Sequence, residues 1–171
     1  MSKKVAVLVT DLFEDSEFTE PVKALEEAGH EITTIDVEGG KTVKGKKEGT
    51  PVKIDKGIDE VDPTDFDALL IPGGYSPDKL RKDERILDFV RYFSKEELPI
   101  FTICHGPQLL INAEVLKGKK ITSVSQVAID LKNAGALWED SELVIDDSGL
   151  ISSRTPEDLP VFDQAIVEAL K

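Results

Sequence analysis

A chain of 171 residues with 21 Lys and Arg against 34 Asp and Glu carries a formal charge of −13. That length suits one domain whose core needs no disulfide or metal staple, and leaves no room for a second catalytic domain. A hydrophobic content of 40% with seven Phe excludes a disordered chain, and the acidity opposes stable binding to nucleic acid or to an anionic membrane, since both rest on clustered Lys and Arg.

Residues 5–9 are a continuous apolar, β-branched run, the pattern of a strand buried on both faces of a parallel sheet. Lys3 and Lys4 before it give a superficial likeness to a signal peptide, but Asp11 closes the run too early and no small-residue cleavage site follows. Residues 19–28 place Val22, Leu25 and Ala28 at helical spacing, with Pro21 in the first turn and Gly29 as the stop, so a first crossover helix is predicted there. Residues 32–37 follow as a second strand. The polar, Gly- and Lys-rich stretch 38–50 is expected as an exposed loop or short hairpin, with a small extra strand at 52–54. Ala68–Ile71 is a further buried strand, closed sharply by Pro72-Gly73-Gly74, and a helix is predicted over 84–93. A strand at 99–103 leads into a helix at 106–113, with Pro107 in its first turn. Beyond Gly118 the pattern gives a strand at 121–124, a helix at 127–134, short strands at 136–138, 143–145 and 150–153, and a last helix from Thr155 to Leu170. Strands alternating with helices predict an α/β sandwich on a mostly parallel sheet, a single domain over 1–171. No apolar run approaches the roughly 18 residues of a membrane span. With one cysteine in the chain, a zinc ribbon or a Cys-x-x-Cys pair is excluded, and a cytoplasmic location is expected.

Ligands of such sheets gather beyond the C-terminal strand ends. Three candidate segments meet there: 11–17, 73–78 and 104–107. Cys104 lies between a buried strand and a helix, where a nucleophile is held at a sharp elbow. A thiol before a helix N-terminus faces aligned N–H groups that favour the thiolate, which would be nucleophilic near neutral pH. The alternative is a buried, inert cysteine. His105 is the candidate for proton transfer, and its backbone amide is a candidate oxyanion donor. His30, at the opposite end of the sheet, reads as a surface turn residue. Glu14, Asp15 and Glu17 are either a solvated acidic turn or carboxyl groups brought to the thiol. Of these Glu17 is the choice, because a partly desolvated carboxyl keeps its proton and can donate a hydrogen bond to a thiolate. Gly73 and Gly74 are either turn glycines or, at Gly74, a second amide for the oxyanion.

Several motifs together resemble the ThiJ/PfpI family of the class I glutamine-amidotransferase-like superfamily. They are Phe13-Glu14-Asp15-Ser16-Glu17, Ala28-Gly29-His30, Asp67-Ala68-Leu69-Leu70-Ile71-Pro72-Gly73-Gly74, Ser76-Pro77-Asp78, Ile103-Cys104-His105-Gly106-Pro107-Gln108, Asn133-Ala134-Gly135-Ala136 and Ser153-Arg154-Thr155-Pro156-Glu157-Asp158-Leu159. The resemblance implies a flavodoxin-like three-layer α/β/α sandwich, with Cys104 as nucleophile, Glu17 hydrogen-bonded to it, and Gly74 and His105 as amide donors. It further implies a homo-oligomer, dimer or higher, in which Asp78, matching the acidic third member of PfpI-type proteases, reaches His105 across a subunit interface. Asp78 is shorter than the Glu of archaeal members, and Val124 stands where those proteases carry a tyrosine, which weakens a peptidase reading. The implied activity is that of the bacterial stress-protein branch: a cysteine-dependent deglycase or glyoxalase acting on small carbonyls or early glycation adducts and releasing a hydroxy acid such as lactate. No metal or organic cofactor is required. An intracellular cysteine peptidase and a redox-responsive chaperone or stress sensor that uses Cys104 are the alternatives.

Overall fold

The apolar runs become strands covered on both faces. In the computed structural model, which describes residues 1–171, the order is β1 (Lys4–Leu8), α1 (Asp15–Glu27), β2 (Glu31–Asp36), β3 (Thr42–Lys44), β4 (Pro51–Lys53), β5 (Lys56–Gly57), β6 (Ala68–Ile71), α2 (Ser76–Leu80), α3 (Glu84–Lys95), β7 (Ile100–Ile103), α4 (Pro107–Ala113), β8 (Lys120–Ile121), α5 (Ala128–Asn133), β9 (Leu137–Trp138), β10 (Val144–Ile145), β11 (Leu150–Ser153) and α6 (Leu159–Ala169).

Side chains along a strand alternate between the faces of a sheet, and here the alternation divides the interior in two. Val5, Val7, Leu70, Phe101, Ile103 and Ile151 pack with Phe18, Val22 and Leu25 of α1 and Phe162 and Ile166 of α6. Ala6, Leu8, Leu69, Ile71, Ile100 and Leu150 face the other way, onto Ile86, Phe89 and Phe93 of α3, Leu109 and Leu110 of α4, and Leu131 of α5. The result is a three-layer α/β/α sandwich of flavodoxin-like form. Its seven strands lie in the order β10-β11-β7-β6-β1-β2-β5. Every neighbouring pair is parallel except β10 with β11. From β1 the chain runs outward to β2, then returns to the other side of β1 as β6, so the strand order reverses between β1 and β6 and opens a crevice at their C-terminal ends.

Several elements differ from the sequence expectation. Helix α1 begins at Asp15, ahead of the predicted 19–28, so Glu17 stands in its first turn instead of in a loop. Of the two readings of 38–50 the hairpin holds, since β3 pairs antiparallel with β4, close to the small strand expected at 52–54; what differs is its burial, for Val43, Val52 and Ile54 pack against the α1/α6 core. Helix α2 was not expected. Its first turn accommodates Pro77, and Ser76 and Leu80 are buried. The strand predicted over 121–124 stops at Ile121, because Thr122 N–H donates to Ser152 Oγ at 3.0 Å and Val124 N–H to the Cys104 carbonyl at 3.2 Å. His30 is buried, not a surface residue. Its Nδ1 accepts from Lys3 N–H at 3.0 Å, which ties the start of β2 to the start of β1.

Candidate active site

Strand β7 ends at Ile103, and the next residue turns hard. Cys104 has φ +61°, a left-handed conformation that costs a non-glycine residue and persists only where its surroundings impose it. They do so here: Cys104 N–H donates to the Ser153 carbonyl at 3.1 Å, and its own carbonyl accepts from Val124. A Cβ at Gly106 would lie 2.6 Å from the Ile71 carbonyl and collide with Thr102 Oγ1, so the tight return into α4 requires glycine.

The second wall comes from the end of β6. Gly73 N–H donates to Glu17 Oε1 at 2.9 Å. A Cβ on Gly73 would collide with that oxygen while lying 3.0 Å from Cys104 Cβ and 3.0 Å from the His105 backbone nitrogen. Glu17, Cys104 and His105 therefore converge around one glycine. Gly74, at φ +79°, faces Phe13 in an isolated antiparallel bridge. The bridge is closed by its neighbours: Glu14 N–H donates to the Gly73 carbonyl at 3.2 Å and Tyr75 N–H to the Leu12 carbonyl at 2.8 Å. That pattern leaves Gly74 N–H with no oxygen acceptor in the protein, and His105 N–H has none either. Gly74 N–H is free and His105 N–H is hydrogen-bonded to the Cys104 sulfur; two amides beside a thiol, neither held by a protein oxygen, are what an oxyanion hole needs.

Glu17 is fully buried. Burial first, and then the charge of Glu14, push its carboxyl up to about 8 against the Gly73 hydrogen bond, so it keeps its proton at neutral pH. Its Oε2 is buried without a partner. Cys104 is 8% exposed, and burial, followed by negative charge on Glu17, pushes its thiol up, while the His105 N–H and Lys46 pull it down. The helix N-terminus alone therefore does not make the sulfur a thiolate. The two acids act as one system: a proton resident on Glu17 removes the repulsion that adds to burial in holding the proton on sulfur. His105 Nδ1 lies 3.4 Å from Cys104 Sγ, so the adjacent side chains do face each other. Burial and then Lys46 lower the imidazole's affinity for a proton, against the charge of Asp78, which keeps the ring neutral at neutral pH.

Asp78 is brought near without joining this cluster. Its carboxylate is 65% exposed and lies 3.5 Å from an Arg81 guanidinium nitrogen, acting on His105 only through its charge. Lys46, in the segment expected to be an exposed loop, was missed. Its ammonium lies 3.3 Å from Glu14 Oε1 and 5.3 Å from the Tyr75 ring centroid, and its charge reaches Cys104, His105 and Glu17. Nothing in the local sequence marks this lysine among its neighbours. A cleft of about 340 Å³ lined by Ser123, Val124, Trp138, Arg154 and Thr155 opens next to the elbow. No three His, Cys, Asp or Glu side chains converge in a metal-holding group, and no helix is long and apolar enough to cross a membrane.

A DJ-1/PfpI family model matches residues 3–169. The chain is similar to "Protein/nucleic acid deglycase 2" of Escherichia coli, 56% identical over 99% of both chains. It is similar as well to "General stress protein 18" of Bacillus subtilis, 52% identical over 100% of this chain and 99% of the relative. Among solved structures, Drosophila melanogaster DJ-1beta superposes with a TM-score of 0.90 at 28% identity, over 99% of this chain and 91% of that one.

Proposed function

This chain belongs to the DJ-1/PfpI family, and from that premise we propose that it is a cysteine-dependent, stress-protective enzyme of deglycase type that acts on small carbonyls and early glycation adducts. The observation that carries the reading is the meeting of three things at one point: a strained cysteine elbow, a buried carboxyl that holds its proton, and two amides that no protein oxygen holds. The name of the Escherichia coli relative supports the deglycase class, and that of the Bacillus subtilis relative supports a role under stress.

For methylglyoxal, the Cys104 thiolate adds to the aldehyde carbon, and the new oxyanion takes hydrogen bonds from Gly74 and His105 N–H. For a hemiaminal, the sulfur displaces the amine from the same carbon and the amine leaves with a proton. Either route gives a hemithioacetal. His105 then removes the proton from the former aldehyde carbon and returns one to the neighbouring carbonyl carbon. The first carbon is thereby oxidised to a thioester and the second reduced to an alcohol, with no external oxidant or reductant. Water hydrolyses the thioester to lactate and frees the thiol. Asp78 of a second copy would complete the site by holding the His105 ring, which makes a homo-oligomer part of the mechanism.

The test is turnover of methylglyoxal and of freshly formed amine adducts, corrected for spontaneous reversal. The parent chain produces lactate, and Cys104→Ser loses at least 100-fold, a drop of roughly the size expected when a covalent nucleophile is removed. Full activity in Cys104→Ser contradicts the mechanism. Cleavage of unmodified peptides, with no turnover of adducts, would place the chain with cysteine peptidases instead. Reversible oxidation of Cys104 with no turnover would point to a redox sensor.

A further inference from the structure

Lys46 is held by a chain of contacts that begins in the first turn of α1. Asp15 carboxylate oxygens accept from Lys47 N–H at 2.9 Å, Glu48 N–H at 3.3 Å and Thr50 N–H at 3.1 Å. Gly45 lets that carboxylate come close, since any Cβ there would collide with it. Lys46 N–H donates to the Phe13 carbonyl at 2.9 Å, and Leu12 N–H to the Lys44 carbonyl at 2.8 Å. The turn between β3 and β4 is thereby stitched to the loop after β1. The Lys46 side chain, 30% exposed, then crosses the Tyr75 ring to reach Glu14. A surface lysine of no function needs none of this fixation.

The groups that act on the Cys104 sulfur are Glu17 in the first turn of α1, Lys46 from the β3–β4 turn and His105 on its own turn; Glu14 acts on Glu17 and holds Lys46, and the exposed Asp78 of α2, beside Arg81, acts on His105. Glu17 keeps its proton, so among these groups Lys46 is the fixed cation whose charge favours a thiolate at Cys104. We propose that Lys46 is a positioning residue of the reaction, its ammonium fixed between Glu14 and Tyr75 so that the negative charge of the site settles on the Cys104 sulfur. The inference rests on the reading of Cys104 as the nucleophile. Lys46 itself stays an ammonium ion, because contact with Glu14 raises its affinity for a proton.

The experiment is the rate of alkylation of Cys104 by iodoacetamide, an uncharged reagent, as a function of pH. It compares the parent with Lys46→Met, Lys46→Arg and Lys47→Met. Lys47 is a matched control, since it also meets Glu14, at 3.6 Å, but is 65% exposed. Lys46→Met is expected to slow alkylation about tenfold near neutrality, as loss of one nearby charge in a partly buried site would do. Its profile moves to higher pH while the plateau rate at high pH is unchanged. Lys46→Arg restores most of the rate and Lys47→Met matches the parent. Superimposable profiles for the parent and Lys46→Met overturn the inference, and so does an equal displacement in Lys46→Arg, which would assign the effect to packing of the side-chain stem. Alkylation does not depend on turnover. If the alkylation results hold while Cys104→Ser keeps full activity, the nucleophile reading has failed and the role of Lys46 in charging the sulfur stands.

Discussion

Each participating residue has a place that its chemistry requires. Cys104 pays for its left-handed backbone with hydrogen bonds to Ser153 and Val124, and the strain aims its sulfur at the ends of β1 and β6. At Glu17, the folded-state value of about 8 lies above the 4.5 of an unperturbed carboxyl. Folding thus takes up a proton between these values. The associated stability is fully present below pH 4.5 and is lost as pH rises through 8. Glu17→Gln, which keeps the shape but cannot ionise, is therefore expected to melt above the parent at pH 9, by about 5–10 °C for a gain on the order of a few kcal/mol. The two converge below pH 5. Thermal scans across that range check this, and a parent that stays as stable at pH 9 as at pH 5 contradicts a buried, protonated Glu17. Gly106→Ala is expected to cost on the order of 1–3 kcal/mol through overpacking against Ile71 and Thr102, measurable by denaturant unfolding. The cysteine, its flanking histidine and the glycine pairs were legible in the sequence because their types and order are unusual. The thiol's resistance to ionisation was not legible, because it depends on burial and on a carboxyl from a distant segment.

Among the elements, the buried strands β1, β6 and β7 were the most legible, since their largely apolar runs leave few alternatives. Short pieces that depend on tertiary contacts were not. Helix α2 has five residues, too few to show a period, and while a hairpin after β2 was one of the readings, the burial of Val43 and Val52 among polar neighbours was not legible. Asp15 links this hairpin to α1. Burial would raise its carboxyl, but hydrogen bonds from Thr50 and Lys47 outweigh it and hold the group at about 2, below the 3.8 of an unperturbed carboxyl. Its contribution is therefore present above pH 3.8 and lost as pH falls through 2. Asp15→Asn is expected to lose about 1–2 kcal/mol at pH 7, to free the 45–50 turn to hydrogen exchange, and to slow Cys104 alkylation by releasing Lys46. Unchanged exchange in that turn would show that the carboxylate does not hold it.

At the scale of the whole molecule, the topology selects where chemistry can occur. Reversal of strand order between β1 and β6 opens the crevice, and β7 delivers Cys104 to its edge. The acidic balance of −13 disfavours extended nucleic acid as a carrier of the adduct, so adducts on duplex DNA are expected to turn over more slowly than those on free amino acids, with a gap that narrows as salt is added. Asp78 can be tested in the assembly. If it completes the site of a neighbouring copy, mixing inactive Asp78→Asn with inactive Cys104→Ser chains recovers part of the parent activity in mixed oligomers, whereas no recovery assigns Asp78 to its own subunit or to none. The most direct measurement of the central claim is peptide mapping of Cys104 in samples quenched during methylglyoxal turnover. A substrate-derived thioester or hemithioacetal on Cys104 that rises before lactate and decays with its release is the predicted result. Lactate formed at the parental rate with Cys104 never modified would contradict the account.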